Sequence, residues 1–251
     1  MRTIKKGDMT QVVWIDSRSR TSGSDSKFEI QLRETLHITE DTRIRVDKCT
    51  FIDSFLTTDA GKYIYFLGNT ISYVAIPEGA YTGPSLAAAI QLVTGRPTNY
   101  NGLTNSITHE LPNLCQWLSD ANLATATGNF PPGASPSNPQ SLNQVLGDGQ
   151  NLGSVVVWSF VRMSPYHVLY LRSDTLRCDQ HHGADGTHNL LCAIPLTRGV
   201  GSSVEAASPD GVYYSLAGKR SIRNFDIALT DYKGNVVNLR GRPLALQLTF
   251  D

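Results

Sequence analysis

The sequence predicts an all-β protein, an antiparallel jelly-roll sandwich with one short helix and a long polar loop excursion. Apolar and polar residues alternate with a period of two along much of the chain. Clusters of turn residues separate these segments, and no regular alternation of strands and helices suggests a parallel sheet. About eight to eleven short strands with one helix are typical of a sandwich or jelly roll.

The predicted strands begin with residues 28–32, where apolar side chains alternate with polar ones. Residues 43–51 repeat this pattern, so each strand has one buried and one wet face. Strands at 62–67 and 70–76 are predicted to form a hairpin around Gly68 and Asn69, a favourable turn pair. Further strands are predicted over 155–161, 166–172, 189–196, 211–216, 222–229, 235–239 and 243–250.

The last predicted strand places four large apolar side chains on one face: Leu244, Leu246, Leu248 and Phe250. It ends one residue before the last residue of the sequence. We therefore expect contacts with other molecules to come from the N-terminal residues, the sheet edges and the long loops.

One segment, at about 83–94, predicts a helix that lies against a sheet. Pro84 stands in its first turn, the body is rich in alanine, and Gly95 follows its end. The apolar stripe consists of Leu86, Ala89, Ile90 and Val93. A second short helix is predicted over 111–118.

The predicted domain organisation is an N-terminal arm, residues 1–26, followed by a single jelly-roll domain, residues 27–251. Within this domain, residues 97–153 are predicted to be a loop excursion. Its later part is rich in proline, glycine and serine and poor in apolar residues. A loop of this length in a compact domain is usually functional, mobile or held by a neighbour.

The charge balance limits the partners. The chain has 22 basic and 22 acidic side chains, whereas a protein that wraps nucleic acid normally has a basic excess. Net neutrality also allows close self-association. The basic residues of the arm are interrupted by Asp8 and Asp16, so we expect a solvated terminus rather than a nucleic-acid contact; they are Arg2, Lys5, Lys6, Arg18 and Arg20.

Membrane and secretory signals are not found in the sequence. No apolar run approaches the ~18 residues of a membrane span. The N-terminus is too polar for a signal peptide, and no Asn-x-Ser/Thr site is present. The four cysteines, at positions 49, 115, 178 and 192, are widely spaced, which favours reduced thiols in a protein assembled in the cytosol.

Candidate metal ligands occur in one place, residues 178–188, as Cys178, His181 or His182, and His188. Their spacing matches no paired zinc knuckle, and a polar loop explains the same residues, so neither a metal nor a cofactor is expected. Nucleophile elbow, phosphate-loop and dinucleotide motifs are missing from the sequence. Since His37, His109 and His167 each stand alone, we expect structural or surface histidines, and with no catalytic motif we expect no enzyme.

Three segments together resemble the penton-type minor capsid proteins of polinton-like viruses, virophages and related double-stranded DNA viruses. The first is IDSRSR at 15–20 followed by SDSKFEIQL at 24–32. The second is YVAIPEGAYT at 73–82, which leads into the predicted helix. The third is FDIALTDYKGN at 225–235 with the closing strand, while residues 119–153 and the His181-His182 loop have no counterpart.

The resemblance implies a single jelly roll, present as five copies around each icosahedral vertex, that fills the gaps between larger hexagonal capsomers. The implied partners are other copies of the chain, the major capsid protein and a spike or fibre protein. The implied location is the virion, assembled in the cytoplasm or nucleus of the host cell. A ring of five uses a heterologous contact, in which one surface meets a different surface of the next copy.

Three other functions are also consistent with a β sandwich. A cementing or spike-base protein is the nearest to the capsomer. A carbohydrate- or receptor-binding jelly-roll module is the main alternative; it would use the loop residues Trp117, Asn129, Asp148 and Tyr214, which are scattered along the sequence. A hydrolase ranks third because the sequence contains no catalytic motif. It stays possible because the fold, and not the sequence spacing, sets the distance between paired carboxylates. The oligomeric state separates the leading function from the main alternative: pentamers support the vertex capsomer, and a strict monomer that binds glycans supports the carbohydrate-binding module.

Overall fold

A computed structural model of the chain describes residues 10–177, 189–209, 213–216 and 218–251. The fold has two compact units. We call residues 1–54 with 167–251 the sandwich unit, and residues 55–166 the inserted unit. The predicted domain of 27–251 is therefore divided, and the predicted loop excursion belongs to a unit with its own core.

The strands of the sandwich unit have one buried and one wet face, as predicted. Near the start of the chain, the buried side chains of Phe28 and Ile30 alternate with exposed neighbours. Phe225 and Ile227, on a strand late in the chain, are also buried. In chain order its described strands are β1 Gln11–Asp16, β2 Ser22–Gly23, β3 Lys27–Ile38, β4 Arg43–Ile52, β12 Val168–Arg172, β13 Leu190–Pro195, β14 Ser203–Ala206, β15 Tyr214–Ser215, β16 Arg220–Thr230 and β17 Ala245–Phe250. The inserted unit supplies the labels between β4 and β12.

The strand order of the sandwich unit is that of a jelly roll. One sheet has the order β1-β17-β4-β14, with the short β15 also on β4. The other has the order β13-β12-β16-β3, with the short β2 on β3. When the eight strands other than the two-residue β2 and β15 are numbered along the chain, the two sheets read 1-8-3-6 and 2-7-4-5, all antiparallel. Two interlocked Greek keys give this order, so the predicted fold class is confirmed.

The closing strand β17 lies inside its sheet, between β1 and β4. Leu246, Leu248 and Phe250 are buried, as predicted, because alternate side chains of a strand point to the same face. Between Gln247 and Leu248 the pairing with β4 shifts by one residue, which leaves Asp47 as an extra residue in a bulge.

The predicted N-terminal arm of 1–26 is wrong for residues 11–26. Residues 11–16 form β1, which pairs with β17 from Gln11 opposite Phe250 to Asp16 opposite Ala245. A short 3-10 helix, Ser17–Ser19, follows and is capped by the Asp16 side chain. The β-branched and aromatic residues of β1 favour a strand over a solvated arm. Residues 1–9 lie outside the described part of the chain.

Two predicted strands late in the sandwich unit differ from the structure. Residues 235–239 form only one bridge, between Thr230 and Val236. The Asp231 carboxylate accepts hydrogen bonds from the backbone of Lys233 and Asn235, which bends the chain into a turn. In the predicted strand 211–216, β15 is present, while residues 211 and 212 are outside the described residues.

The inserted unit contains two antiparallel sheets and three helices within its described residues. The sheets have the orders β6-β5-β9 and β10-β11-β8-β7. In chain order the elements are β5 Tyr63–Leu67, β6 Ile71–Ala75, α1 Gly83–Thr94, β7 Thr98–Asn101, β8 Ser106–Glu110, β9 Gln116–Trp117, α2 Asp120–Ala124, α3 Asn143–Leu146, β10 Gly149–Leu152 and β11 Val155–Ser159. The predicted hairpin of β5 and β6 and the predicted helix α1 are confirmed.

Helix α1 begins and ends as its sequence predicts. Thr82 and Ser85 form a reciprocal capping box at its start, and Gly95 ends it in the left-handed conformation, with φ of 66°. Leu86 and Ile90 are fully buried, and Ala89 and Val93 contact the same apolar cluster.

The loop excursion predicted over 97–153 is wrong, since these residues form strands and helices. Trp117, Leu142 and Leu146 are buried in the core of the inserted unit. The helix predicted over 111–118 is also wrong. A turn in which Leu114 has a φ of 63° interrupts it, and β9 follows.

Candidate functional site

The predicted metal ligands do not define a site in the structure. Cys178, His181, His182 and His188 lie outside the described residues. Among the residues that are described, no group of three or more histidine, cysteine or acidic side chains is placed to hold a metal ion. The described helices include none long and apolar enough to cross a membrane.

The three cysteines within the described residues are free thiols: Cys49, Cys115 and Cys192. Cys49 on β4 and Cys192 on β13 are buried in the sandwich unit. Burial raises the pKa of Cys192 to about 11, and burial together with the nearby Cys192 raises the pKa of Cys49 further. Both are neutral thiols at physiological pH, with little nucleophilic character.

His109 is a buried histidine whose pKa its surroundings shift strongly. Its ring is buried on β8, with Nδ1 2.8 Å from the hydroxyl of Thr98, and it stacks on Trp158 with ring centroids 6.0 Å apart. Burial, with a smaller effect of Arg96, lowers its pKa to about 4. It is therefore neutral at physiological pH and enclosed by the core, as predicted for a structural histidine.

The residues proposed for carbohydrate binding do not form an aromatic platform. Trp117 is only 4% exposed and belongs to the core of the inserted unit. Asn129 and Asp148 are exposed in the same unit, whereas Tyr214 lies in the sandwich unit and is half-buried. With Trp117 buried, the half-buried Tyr214 is the one ring of this set that is not in a core.

The edge strand β1 carries the most exposed tryptophan. Trp14 is 73% exposed and Val12 is 47% exposed, both on the outer face of the sheet, opposite Gln247 and Thr249 of β17. On its other edge β1 has no strand partner among the described residues. It therefore presents free backbone groups beside a large exposed ring.

Beside Trp14 and Val12, the outer face of the same sheet carries a polar network centred on Asp47. Asp47 accepts hydrogen bonds from the side chains of Thr249 and of Gln247, the latter at 3.3 Å. The Arg45 guanidinium lies 2.5 Å from the Asp47 carboxylate. The exposed apolar pair therefore lies next to a neutralised polar network rather than beside unpaired charge.

A groove of about 370 Å³ separates the free edges of β1 and β3. The pairing of β3 with β16 jumps from Gln31 to Leu36, so the intervening residues of β3 bulge out of register. The groove is lined by residues 11–13 of β1 and 32–36 of β3. We call β1, this groove and the bulged part of β3 the β1–β3 side.

The other side of the sandwich unit, formed by β13 and β14, has a different surface. Its groove of about 260 Å³ is lined by Arg198 and Glu205, among mostly polar neighbours. Glu205 pairs with Lys48 at 3.1 Å, and β13 ends at Pro195. We call this the β13–β14 side.

The β1–β3 side is not predicted from the sequence, because residues 1–26 have the charge pattern of a solvated arm. The signal was present, since Val12, Val13, Trp14 and Ile15 are four consecutive residues of high β propensity. The basic residues on either side of this run favoured the interpretation as a solvated terminus.

Comparison with known proteins gives a match in structure and none in sequence. No protein-family model matches the chain. No curated protein matches it either. Among solved structures the chain is similar to the mavirus penton protein, with a TM-score of 0.51 over 96% of this chain and 99% of that one. The two chains share a fold. At 11% sequence identity the similarity concerns the fold alone, and it agrees with the penton-type jelly roll that the sequence motifs imply.

Proposed function

We propose that the chain is a structural capsid protein, a penton-type capsomer that forms a pentamer at the icosahedral vertices of a double-stranded DNA virus particle. The observation that carries the proposal is the similarity to the mavirus penton protein, which spans nearly the whole of both chains. The jelly-roll strand order and the three penton-like sequence segments support it independently.

The surface properties of the chain fit this role. A closed ring of identical subunits requires each copy to accept a neighbour on two different surfaces. The sandwich unit has two dissimilar sides, β1–β3 and β13–β14, and the chain has no net charge that would repel identical copies. In this role the protein acts through its surfaces and requires no catalytic residue.

The proposed partners follow from the same role. They are four further copies of the chain in the ring, the major capsid protein of the surrounding hexagonal capsomers, and a spike or fibre protein at the vertex. The protein would be located in the virion, after assembly in the cytoplasm or nucleus of the host cell.

Negative-stain imaging of the purified protein tests the proposal. We expect class averages with fivefold symmetry, because the vertex role requires five identical contacts. Binding to an array of immobilised glycans is measured on the same preparation. Monomeric particles that bind glycans would overturn the proposal in favour of a carbohydrate-binding module.

A further inference from the structure

The edge strands of the sandwich unit differ in how well they are protected against pairing with another molecule. Sheet proteins usually protect free edges with short strands, charged side chains, proline or bulges. On the β13–β14 side, β14 has only four residues, Glu205 pairs with Lys48, and Pro195 ends β13. This side therefore carries several of the usual devices against strand pairing.

Strand β1 has few of these devices, since its one charged residue, Asp16, is its last residue and is paired with Arg18. It has six residues, contains neither lysine nor proline, and keeps an unbroken register with β17 over its whole length. Its sequence includes two valines, a tryptophan and an isoleucine, all of which favour extended structure. In a protein that works as a monomer, a regular apolar edge of this kind would cause aggregation by pairing with strands of other molecules.

The charge around β1 indicates what kind of partner fits. Asp16 is held by Arg18 through hydrogen bonds of 2.9 and 2.6 Å, and the groove beside β1 contains one cation, Arg33, and one anion, Glu34. Nucleic acids and anionic membranes bind surfaces with a basic excess. Among the described residues the groove carries one charge of each sign, and the chain as a whole has 22 of each.

We infer that the β1–β3 side is the surface through which one copy of this chain contacts the next, with Trp14 as its anchor. The inference rests on the proposed function and names the contact within the ring. Tryptophan is enriched among the few residues that carry most of the binding energy of an interface. Val12, on the same face of β1, adds exposed apolar surface, and the adjacent groove, with a mixed polar and apolar lining, offers space for a side chain of the next copy.

The three tryptophans allow a direct test. Trp117 and Trp158 are buried, so Trp14 alone is open to a quencher in an isolated subunit. Acrylamide quenching of the wild-type protein is measured over a dilution series, with the oligomeric state followed by sedimentation velocity. We expect the quenchable component to disappear as the protein assembles.

Substitution of Trp14 gives the second part of the test. Trp14→Glu is expected to raise the concentration needed for half-assembly by about 30-fold or more, the effect of losing one interface hot spot. Tyr232→Glu is the matched control, because Tyr232 is an aromatic side chain of the same unit that is 60% exposed. We expect this control to assemble like the wild type.

The outcomes separate the inference from the function on which it rests. Two results would overturn the inference and leave the capsomer proposal in place. In the first, wild-type rings form but Trp14 stays as quenchable as in dilute protein. In the second, the Trp14→Glu variant forms rings normally. A wild-type protein that is monomeric at every concentration would overturn both.

Discussion

The two units of the chain stabilise their cores in different ways. The sandwich unit rests on long antiparallel pairings, the longest between the 12-residue β3 and the 11-residue β16. The inserted unit surrounds an aromatic cluster in which His109 stacks on Trp158 and Trp158 lies edge-on to Trp117, 6.2 Å away. Both cores are mainly apolar, and the inserted unit adds the buried, titratable ring of His109.

The two units also contain different buried polar side chains. In the sandwich unit, Arg172 donates to Thr230 and Asn189. In the inserted unit, four buried side-chain atoms make no hydrogen bond to any described residue: His109 Nε2, Trp117 Nε1, Asn143 Oδ1 and Trp158 Nε1. Among these four side chains only the His109 ring is titratable, so its protonation should destabilise the inserted unit.

The largest expected effect comes from placing a charge in the sandwich core. Leu248 is fully buried on β17, which has a neighbour on both sides. Leu248→Asp would bury an unpaired carboxylate, at a cost of about 5 kcal/mol or more, comparable to the whole stability of many domains. We expect insoluble protein, measured as the soluble fraction after expression. The control Leu103→Asp changes a side chain that is 99% exposed and should remain soluble.

In the inserted unit the largest effect should come from Trp158. Trp158→Ala removes a fully buried indole and should lower the free energy of unfolding by about 3–5 kcal/mol. Urea unfolding followed by circular dichroism measures the change. Phe160→Ala, two residues away and 82% exposed, should stay within about 0.5 kcal/mol of the wild type. Equal losses in the two variants would contradict the assignment of Trp158 to a core.

The pH dependence of stability should come in part from His109. Because its pKa in the folded protein is about 4, against an ordinary value of 6.5, the unfolded chain binds the proton more tightly between these values. This contribution is complete above pH 6.5 and is lost as the pH falls towards 4. We expect the free energy of unfolding to be about 2 kcal/mol lower at pH 5 than at pH 7.5.

Two histidine variants test this pH dependence by urea unfolding at both pH values. His109→Asn keeps a polar group near Thr98 and should reduce the difference between them. His37→Asn, which removes an exposed imidazole from the sandwich unit, should keep the wild-type difference. If the His109 variant kept the full difference, another group would be responsible.

The smallest effect concerns a polar anchor of the sandwich unit. Asp226 accepts hydrogen bonds from the backbone of Asp174, at 2.9 Å, and from the backbone and hydroxyl of Thr175, at 2.8 and 2.6 Å. Burial raises its pKa, but these hydrogen bonds outweigh burial and hold the pKa below its usual value. The stabilisation is therefore present at neutral pH and is lost as the pH falls below about 4.

Asp226→Asn should lower the free energy of unfolding by about 1–2 kcal/mol at neutral pH, since an amide has one acceptor oxygen where the carboxylate has two. Thermal unfolding at pH 7 measures the change. The control Asp41→Asn alters an exposed carboxylate and should have little effect. An equal shift in both variants would mean that net charge, and not this anchor, is responsible.

The sequence was sufficient to predict elements whose local pattern agrees with their final environment. The alternation at Phe28 and Ile30 predicted β3, and Pro84 and Gly95 predicted the ends of α1. The helix predicted over 111–118 was wrong because Pro112 and Leu114 form a turn that composition does not reveal. The core role of residues 97–153 was hidden because their apolar positions are widely spaced, and contacts between distant segments bury them.

The candidate site was harder to predict than the fold. Trp14 is conspicuous only when β1 is known to lie at the edge of a sheet, and the strand order that puts it there depends on pairings between residues more than 200 positions apart, such as Gln11 with Phe250. The proposed penton role requires a ring of subunits but does not by itself identify the contact surface.

The mass of the purified protein in solution tests the central claim most directly. Native mass spectrometry distinguishes the 27.4 kDa chain from a ring of five copies, about 137 kDa. We predict the mass of the pentamer at micromolar concentration. A protein that shows only the mass of the single chain over the whole accessible concentration range would contradict the account.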